Sequence, residues 1–531
     1  MSRTQITSEL FSPVLVHEYL TLSANKFPDK PALLFNSEIY SYKKLDELTD
    51  NLAFSLIGLG VKRHDRVIIF GDNSAEVVIA LYAVLKTGAS FVLLNGSLKA
   101  PKLHFIIKDS SPSVIIADIK NSEVVRSTLE KIKSVPEVIW FGDTSDNNTE
   151  SKNKWRDLIT DTDVNQKITL ESRKRSVIDY DLSTLIYTSG STGEPKGVMS
   201  SHNNMISAAR SIISYIKNTP DDIVLTVLPL SFDYGLYQVI MCFMYGGTIV
   251  LERSMLFPLE LIKKIESKKV TGFPIVPTLL VMLLKMETLK NYDLSSLRYI
   301  SNTGAALPVE HIKAFRKLFH TVQIFSMFGL TECKRIAYLP PEDIDRKPGS
   351  VGKAMPNCEV FIVNENREFV KPNEIGELVV RGTNVMRGYW NSQDLSEKVY
   401  KDGWFHREKL LYTGDFFYQD EEGYLYFVGR KDDMIKTKGE RVSPKELENI
   451  LCSADGISEA AVIGVPDEIL GQAIKAFIVK TPGSIITEKD VLRYCSRNVE
   501  IFMIPKYVVF IESLPKSPNG KIDKKILKQM E

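Results

Sequence analysis

The stretch Tyr187-Thr188-Ser189-Gly190-Ser191-Thr192-Gly193-Glu194-Pro195-Lys196-Gly197 continues the apolar run Leu185-Ile186 and closes on a lysine. Glycines let backbone N–H groups come close to an anion, hydroxyls add donors, and the lysine adds charge. The run therefore predicts a phosphate cradle behind a strand. It is not the mononucleotide loop written G-x-x-x-x-G-K-[ST], because Lys196 follows Pro195 and precedes Gly197. The competing reading is a mobile surface loop, the usual fate of a Ser/Gly/Thr cluster. The strand ahead of it and the embedded Pro-Lys-Gly favour the cradle.

Outward from the cradle, short apolar runs alternate with helix-like segments. Val67–Phe70, Phe91–Leu94, Val114–Ala117 and Val138–Phe141 read as buried strands, and Ile223–Leu225, Thr248–Leu251, Leu297–Ile300 and Val322–Phe325 form a second series. Between strands the period lengthens: Leu45, Leu48, Leu52, Ala53 and Leu56 share one helical face that ends near Gly58 and Gly60. Such alternation predicts an α/β fold with helix-covered, largely parallel sheets. Residues 142–175 turn polar and read as a long surface connection. Beyond about residue 350, glycine-punctuated segments predict a β-rich subdomain. A polar turn at Gly429-Arg430-Lys431-Asp432 sets off a last stretch with its own strand–helix alternation. The expected division is a large domain over 1–431 and a small, mobile α+β domain over 432–531.

The 531 residues suffice for more than one domain, and 44% hydrophobic with 25% charged residues fits a soluble globular chain. A net charge of +1 argues against a dedicated nucleic-acid or anionic-membrane surface. Five scattered cysteines lack zinc-ligand spacing and predict reduced thiols. The N-terminus has no apolar signal core, and the longest apolar patch, Val239–Met244, is far short of the about 20 residues of a membrane span. A cytoplasmic location is expected.

Further blocks follow the cradle: Ser301-Asn302-Thr303-Gly304-Ala305-Ala306-Leu307, Met327-Phe328-Gly329-Leu330-Thr331-Glu332, Tyr412-Thr413-Gly414-Asp415, Gly429-Arg430-Lys431-Asp432 and Pro518-Asn519-Gly520-Lys521. Together, in this order, they resemble the AMP-forming adenylating enzymes, a superfamily of acyl-CoA synthetases, luciferases and nonribosomal adenylation domains. The resemblance spans essentially the whole chain.

It implies ATP and Mg²⁺ as cofactors. Thr188, Ser189, Gly190, Ser191, Thr192, Gly193 and Lys196 would hold phosphates. Gly304, Ala305, Ala306, Met327, Phe328 and Gly329 would line the adenine, with Phe328 standing where the family often has tyrosine. Thr331 would touch phosphate and Glu332 bind magnesium, a cation that takes few protein ligands beside phosphate oxygens. An ordinary helix-terminal acid is the alternative for Glu332. Asp415 would accept both ribose hydroxyls, with Arg430 nearby. Lys521 would enter the site from the tail and, with Thr188 and Glu332, complete the catalytic set. Asp432 would be the hinge, and Lys438-Gly439 part of the face the thiol approaches. His202 supports the cradle or is structural; the sequence leaves both open.

The segment Leu230-Ser231-Phe232-Asp233-Tyr234-Gly235 bears on substrate. Many acyl-CoA synthetases carry a histidine there, whereas amino-acid-activating domains carry Phe-Asp, the aspartate holding the substrate ammonium. A cation entering a partly desolvated pocket requires such a partner. A turn aspartate before Gly235 is the alternative. Tyr234, Tyr237, Ser301, Thr303, Met327 and Ile336 complete the expected pocket, and Arg335 falls among them without an assigned role. Phe328–Arg335 resembles stand-alone proline-adenylating enzymes of the anatoxin-biosynthesis type. That resemblance implies activation of an amino acid, most simply L-proline, as aminoacyl-AMP and transfer to the phosphopantetheine thiol of a separate carrier protein, since only ten residues follow Lys521. An acyl-CoA synthetase for a small organic acid is the alternative. No nucleic-acid or membrane partner is expected.

Overall fold

Two sheets with parallel centres carry most of the chain, and both arise from the alternation described above. The computed structural model describes residues 13–133, 135–142, 155–160, 176–189, 195–304, 307, 309–406, 408–431, 433–437, 440–467, 470–516 and 522–530. The first sheet has six strands in the order Glu137–Phe141, Val114–Asp118, Arg66–Phe70, Ser90–Leu94, Leu182–Ser189 and Pro195–Ser201. All neighbours are parallel except the last pair, which is the cradle hairpin. The second has nine strands, with Ile223–Thr226, Thr248–Leu251, Gly272–Ile275, Tyr299–Asn302 and Gln323–Phe328 as its parallel centre. The strand expected over Leu297–Ile300 starts two residues later, because Leu297 closes a turn onto Leu294 before pairing begins.

One apolar core joins both sheets through the helices Tyr42–Gly58, Ala75–Thr87, His202–Ile216 and Asp233–Tyr245. Ala75–Thr87 is buried along nearly its whole length, which suits its unbroken run of Ala, Val, Ile and Leu. Ser74 Oγ caps its start by accepting from Val77 N–H, and Gly88 ends it at φ +83°, in the left-handed region glycine tolerates. Lys86 in its last turn is buried between Asp46 (2.6 Å) and Asp50 (2.7 Å), so its charge is matched.

The β-rich region is an antiparallel sheet of Cys358–Val363, Gly376–Gly382, Lys409–Gln419 and Tyr400–Asp402, with Leu425–Arg430 paired to Lys409–Gln419. The last sheet gathers Glu440–Val442, Ile435–Thr437, Gly471–Lys480, Ile457–Asp467 and Tyr507–Phe510 beside the helices Pro444–Cys452 and Glu488–Asn498. Among the described residues sheet membership changes between Arg430 and Ile435; the expected hinge residue, Asp432, lies outside them. The α/β architecture with a small α+β unit is the one the sequence implied. Among the described residues no helix is long and apolar enough to cross a membrane. All five cysteines are free.

His202 follows the second cradle strand, and its role is decided by burial. Its Nδ1 accepts from Val16 N–H at 3.1 Å, tying the helix Val16–Lys26 to the cradle strand. Burial pushes its imidazole down to about 4. The folded value lies below the unfolded one, so this contribution is whole above pH 6.5 and is lost as pH falls through 4. The gap between 6.5 and about 4, at about 1.4 kcal/mol per unit, is worth about 3 kcal/mol. His202→Gln should therefore flatten the fall of the urea midpoint between pH 7 and pH 4.5; equal falls in variant and wild type would show that this histidine does not carry the acid sensitivity.

Candidate active site

The cradle arms are the hairpin strands themselves, with Thr188 opposite Lys196 and Ser189 opposite Pro195. The turn between them, Gly190, Ser191, Thr192, Gly193 and Glu194, lies outside the described residues. Thr188 Oγ1 is buried without a hydrogen-bond partner among the described residues. A hydroxyl in that state has an unmet bond to offer a ligand.

Lys196 does not point into open space. Its Nζ donates to Tyr389 Oη at 2.9 Å and lies 3.4 Å from Glu332 Oε1. Tyr389 donates in turn to Glu332 Oε1 at 2.7 Å. Burial, then the charge of Glu332, holds the Tyr389 hydroxyl far above its ordinary range, so it remains a donor. Tyr389 reaches this position because residues 387–390 extend the cradle strand: Met199 N–H donates to Gly388 O, Arg387 N–H to Met199 O and Trp390 N–H to Gly197 O. The β-rich region thus adds an edge to the cradle, and no local pattern in the sequence signalled Tyr389.

Asp415 and Arg430 are direct cross-strand partners, with Arg430 Nε 3.3 Å from the buried Asp415 carboxylate. Two residues on, Phe417 meets Phe328 edge to face at 4.9 Å, and Phe427 lies 6.0 Å from Phe328. The structure therefore brings Phe328 and Asp415 into one neighbourhood. Met327 is buried and receives the Tyr215 hydroxyl on its sulfur at 2.9 Å. Gly304 takes φ +87°, while Ala305 and Ala306 lie outside the described residues, as do Lys438, Gly439 and Lys521.

The pocket candidates centre on the first turn of the helix Asp233–Tyr245. A Cβ at Gly235 would run into the carbonyls of Leu228 and Pro229, so glycine lets this helix start tight against the preceding loop. Tyr234 donates to Ser301 O at 2.7 Å. Thr303 is buried nearby in sequence, one residue beyond the strand Tyr299–Asn302. Asp233 meets an unexpected neighbour. Lys334 Nζ, with a side chain wholly buried, donates to Asp233 O at 2.6 Å and stands 3.4 Å from its Oδ2. The same Nζ lies 4.1 Å from the centre of the Tyr237 ring. Burial pulls the Lys334 ammonium down to about 7, opposed by Asp233 and reinforced by Arg335. Arg335 is buried with its guanidinium 5.4 Å from the Tyr234 ring centre. Ile336 is not brought together with the other pocket candidates. It packs in the apolar core of the antiparallel sheet with Cys333, Leu378 and Val380, whereas Tyr234, Tyr237 and Met327 belong to the main core. Successive side chains of extended backbone face opposite ways, so with Arg335 toward Tyr234 its neighbour turns away.

Two residues hold this charged loop. A Cβ at Gly329 would run into Lys334 O and lie 2.8 Å from Arg335 Cα. Asn384, fully buried, donates from Nδ2 to Cys333 O (3.0 Å) and Arg335 O (2.9 Å). Sequence reasoning missed Lys334 and Asn384; the available signal was a Lys-Arg pair set between Cys333 and Ile336-Ala337. Gly329→Ala should cost at least about 2 kcal/mol as backbone is forced aside, read as a lower urea midpoint. Tyr389→Phe should keep the fold but lower kcat/KM for ATP in pyrophosphate exchange by about tenfold or more, the scale of one hydrogen bond to a charged group.

The model of the AMP-binding enzyme family matches residues 20–390, and that of the AMP-binding enzyme C-terminal domain matches 446–521. The chain belongs to the AMP-binding enzyme family. As a member it is an AMP-forming ligase that uses ATP. It is 33% identical to an indoleacetate–CoA ligase of Aromatoleum aromaticum, with 97% of each chain covered. It is 31% identical to a long-chain-fatty-acid–CoA ligase of Bacillus subtilis, covering 96% of this chain and 94% of that protein. Among solved structures, the anthranilate CoA ligase AuaEII in complex with anthranoyl-AMP superposes at TM-score 0.87, with 26% identity and 98% of each chain covered. ATP-bound MatB from Rhodopseudomonas palustris gives 0.84, with 25% identity over 98% of this chain and 99% of that one.

Proposed function

We propose that this member of the family activates a small carboxylic acid without an α-amine and passes it to the thiol of coenzyme A. The observation that carries this reading is the contact between Lys334 and Asp233: the carboxylate that would receive a substrate ammonium already faces a lysine of the chain. A second cation in that place would meet the repulsion of Lys334 and Arg335. The indoleacetate, long-chain-fatty-acid and anthranilate proteins named above are CoA ligases, which supports the choice of thiol.

In the first half-reaction a carboxylate oxygen attacks the α-phosphorus of ATP, and pyrophosphate leaves. In the second the thiol attacks the acyl carbonyl, AMP leaves with the electron pair of the broken anhydride bond, and the thiol proton passes to solvent. Thr188 Oγ1 offers an unmet hydrogen bond to phosphate, and Lys196 supplies charge beside it. Among the described residues no cluster of three metal-ligating side chains occurs, so a divalent cation would rest on Glu332 and phosphate oxygens, the arrangement that suits magnesium. When bound, Mg²⁺ supplies charge neutralisation on the triphosphate. Both contacts to Glu332 described above fall on Oε1. The resemblance assigns the lysine that bridges developing charge to Lys521, and the turn between half-reactions to Asp432.

A second reading, activation of proline and loading of a separate carrier protein, is favoured by one observation. The Asp233 side chain keeps 24% exposure and its oxygen is 3.4 Å from Lys334, long for a hydrogen bond, so it retains capacity to accept. Pyrophosphate exchange across short organic acids and amino acids, followed by mass spectrometry of coenzyme A and of a holo-carrier, separates the two. Exchange with amine-free acids and an acyl-coenzyme A product is expected. Exchange with proline alone, with label on the carrier, would overturn the coenzyme A reading.

A further inference from the structure

Arg335 is the largest fully buried side chain among the described residues. No carboxylate pairs with it among the described residues, and its Nε has no hydrogen-bond partner among them. Its surroundings are aromatic: the Tyr234 ring lies 5.4 Å from the guanidinium carbon, and the Tyr215 hydroxyl is a neutral hydrogen-bond partner of the guanidinium, not a counter-charge. Lys334, the preceding residue, is also wholly buried, and its Nζ lies against Asp233. The Tyr237 hydroxyl, whose ring lies against Lys334, is buried without a partner as well.

A buried guanidinium without a counter-charge is strongly unfavourable, and an unpartnered buried Nε adds to that cost. Buried groups whose local environment is unfavourable concentrate at functional sites, where a bound anion can supply the missing charge. The reacting carboxylate must reach the cradle, where Lys196, Tyr389 and Glu332 stand. Arg335 lies against Tyr234 and Tyr215, and among the described residues no contact joins it to any of those three. A second negative group is therefore needed to meet it.

We infer that the acid activated by this chain carries a second anionic group, and that Arg335 is the specificity-determining residue that takes it, with Lys334 beside it. A planar guanidinium fork receives a carboxylate through two parallel hydrogen bonds, and a second carboxylate is the most compact anionic group a small organic acid carries, so the substrate class is a small dicarboxylic acid. The bulk of Tyr234 and Tyr237 keeps that acid short. This inference rests on the acid-ligase reading of the same site.

The test is acid-dependent pyrophosphate exchange with succinate and glutarate against their monomethyl esters and against butyrate and valerate, which match them in chain length but end without charge. Wild type should favour the diacids by at least a hundredfold in kcat/KM, the scale of a buried ion pair. Arg335→Met should erase that preference, lowering diacid use a hundredfold while changing use of the neutral-ended acids by less than threefold. Arg335→Lys, which keeps the charge and loses the fork, should fall between. Without ligand, Arg335→Met should unfold at a urea concentration no lower than wild type, because it removes an unmatched buried charge; a merely structural arginine would give a lower midpoint. Equal use of diacids and neutral-ended acids by wild type, or an equal loss of both in Arg335→Met, overturns the inference while leaving the acid-ligase reading in place. Exchange with proline and with none of these acids overturns both.

Discussion

The tight return of the chain at Gly329 is the constraint on which the site depends. The carbonyl of Lys334 occupies the space a Cβ would need, and Arg335 follows within van der Waals reach. Three charged residues thus leave the strand Gln323–Phe328 within a few positions and take different directions. Glu332 goes to the cradle lysine, Lys334 to the start of the helix Asp233–Tyr245, and Arg335 to Tyr234. A loop this tight and this buried leaves carbonyls without ladder partners, and buried carbonyls require donors. Asn384 supplies two of them from the turn after the strand Gly376–Gly382, so the loop conformation depends on the β-rich region being docked.

That docking also assembles the nucleotide side. The segment after Gly376–Gly382 lies along Pro195–Ser201 as an added edge, which places the Tyr389 hydroxyl between Lys196 and Glu332. The same antiparallel sheet carries Asp415 and Arg430 in register and sets Phe417 against Phe328. Open α/β sheets bind ligands beyond the carboxyl ends of their strands, and here the ends of Leu182–Ser189 and Gln323–Phe328 are where the third sheet contributes its side chains.

The two charge groups of the site differ in balance. Lys196 and Glu332 face each other through a tyrosine and are each partly exposed, so solvent and a mutual partner both moderate their charge. Lys334 and Arg335 are both buried, and among the described residues only Lys334 has a carboxylate, Asp233, against it. Local arrangements that are costly by themselves concentrate where a ligand completes them, which distinguishes this pair from Lys86, buried just as deeply but matched by two aspartates.

Much of the fold was legible in the chain because it is written locally. The strands around Val67, Phe91, Val114 and Ile223 follow from apolar runs, and the helix Tyr42–Gly58 from a 3.6-residue period ended by glycine. Thr188, Lys196, Glu332 and Asp415 were legible as candidates because small, hydroxylic and charged residues interrupt those patterns. Asp233 was legible too, but its neighbour was not: Lys334 is 101 residues away, and only tertiary packing brings a cation against that carboxylate. Tyr389 lies 193 residues from Lys196, and Asn384 reaches a loop about 50 residues earlier, through sheets whose pairing no local pattern encodes. Ile336 went astray for the converse reason, since its sequence neighbours enter the pocket while the alternation of extended backbone turns it into another core. The sequence by itself determined the elements and the chemical kinds of residue at the cradle and pocket. The tertiary structure decided which charges are matched and which are not, because burial and opposition of charge are properties of surroundings contributed by distant segments.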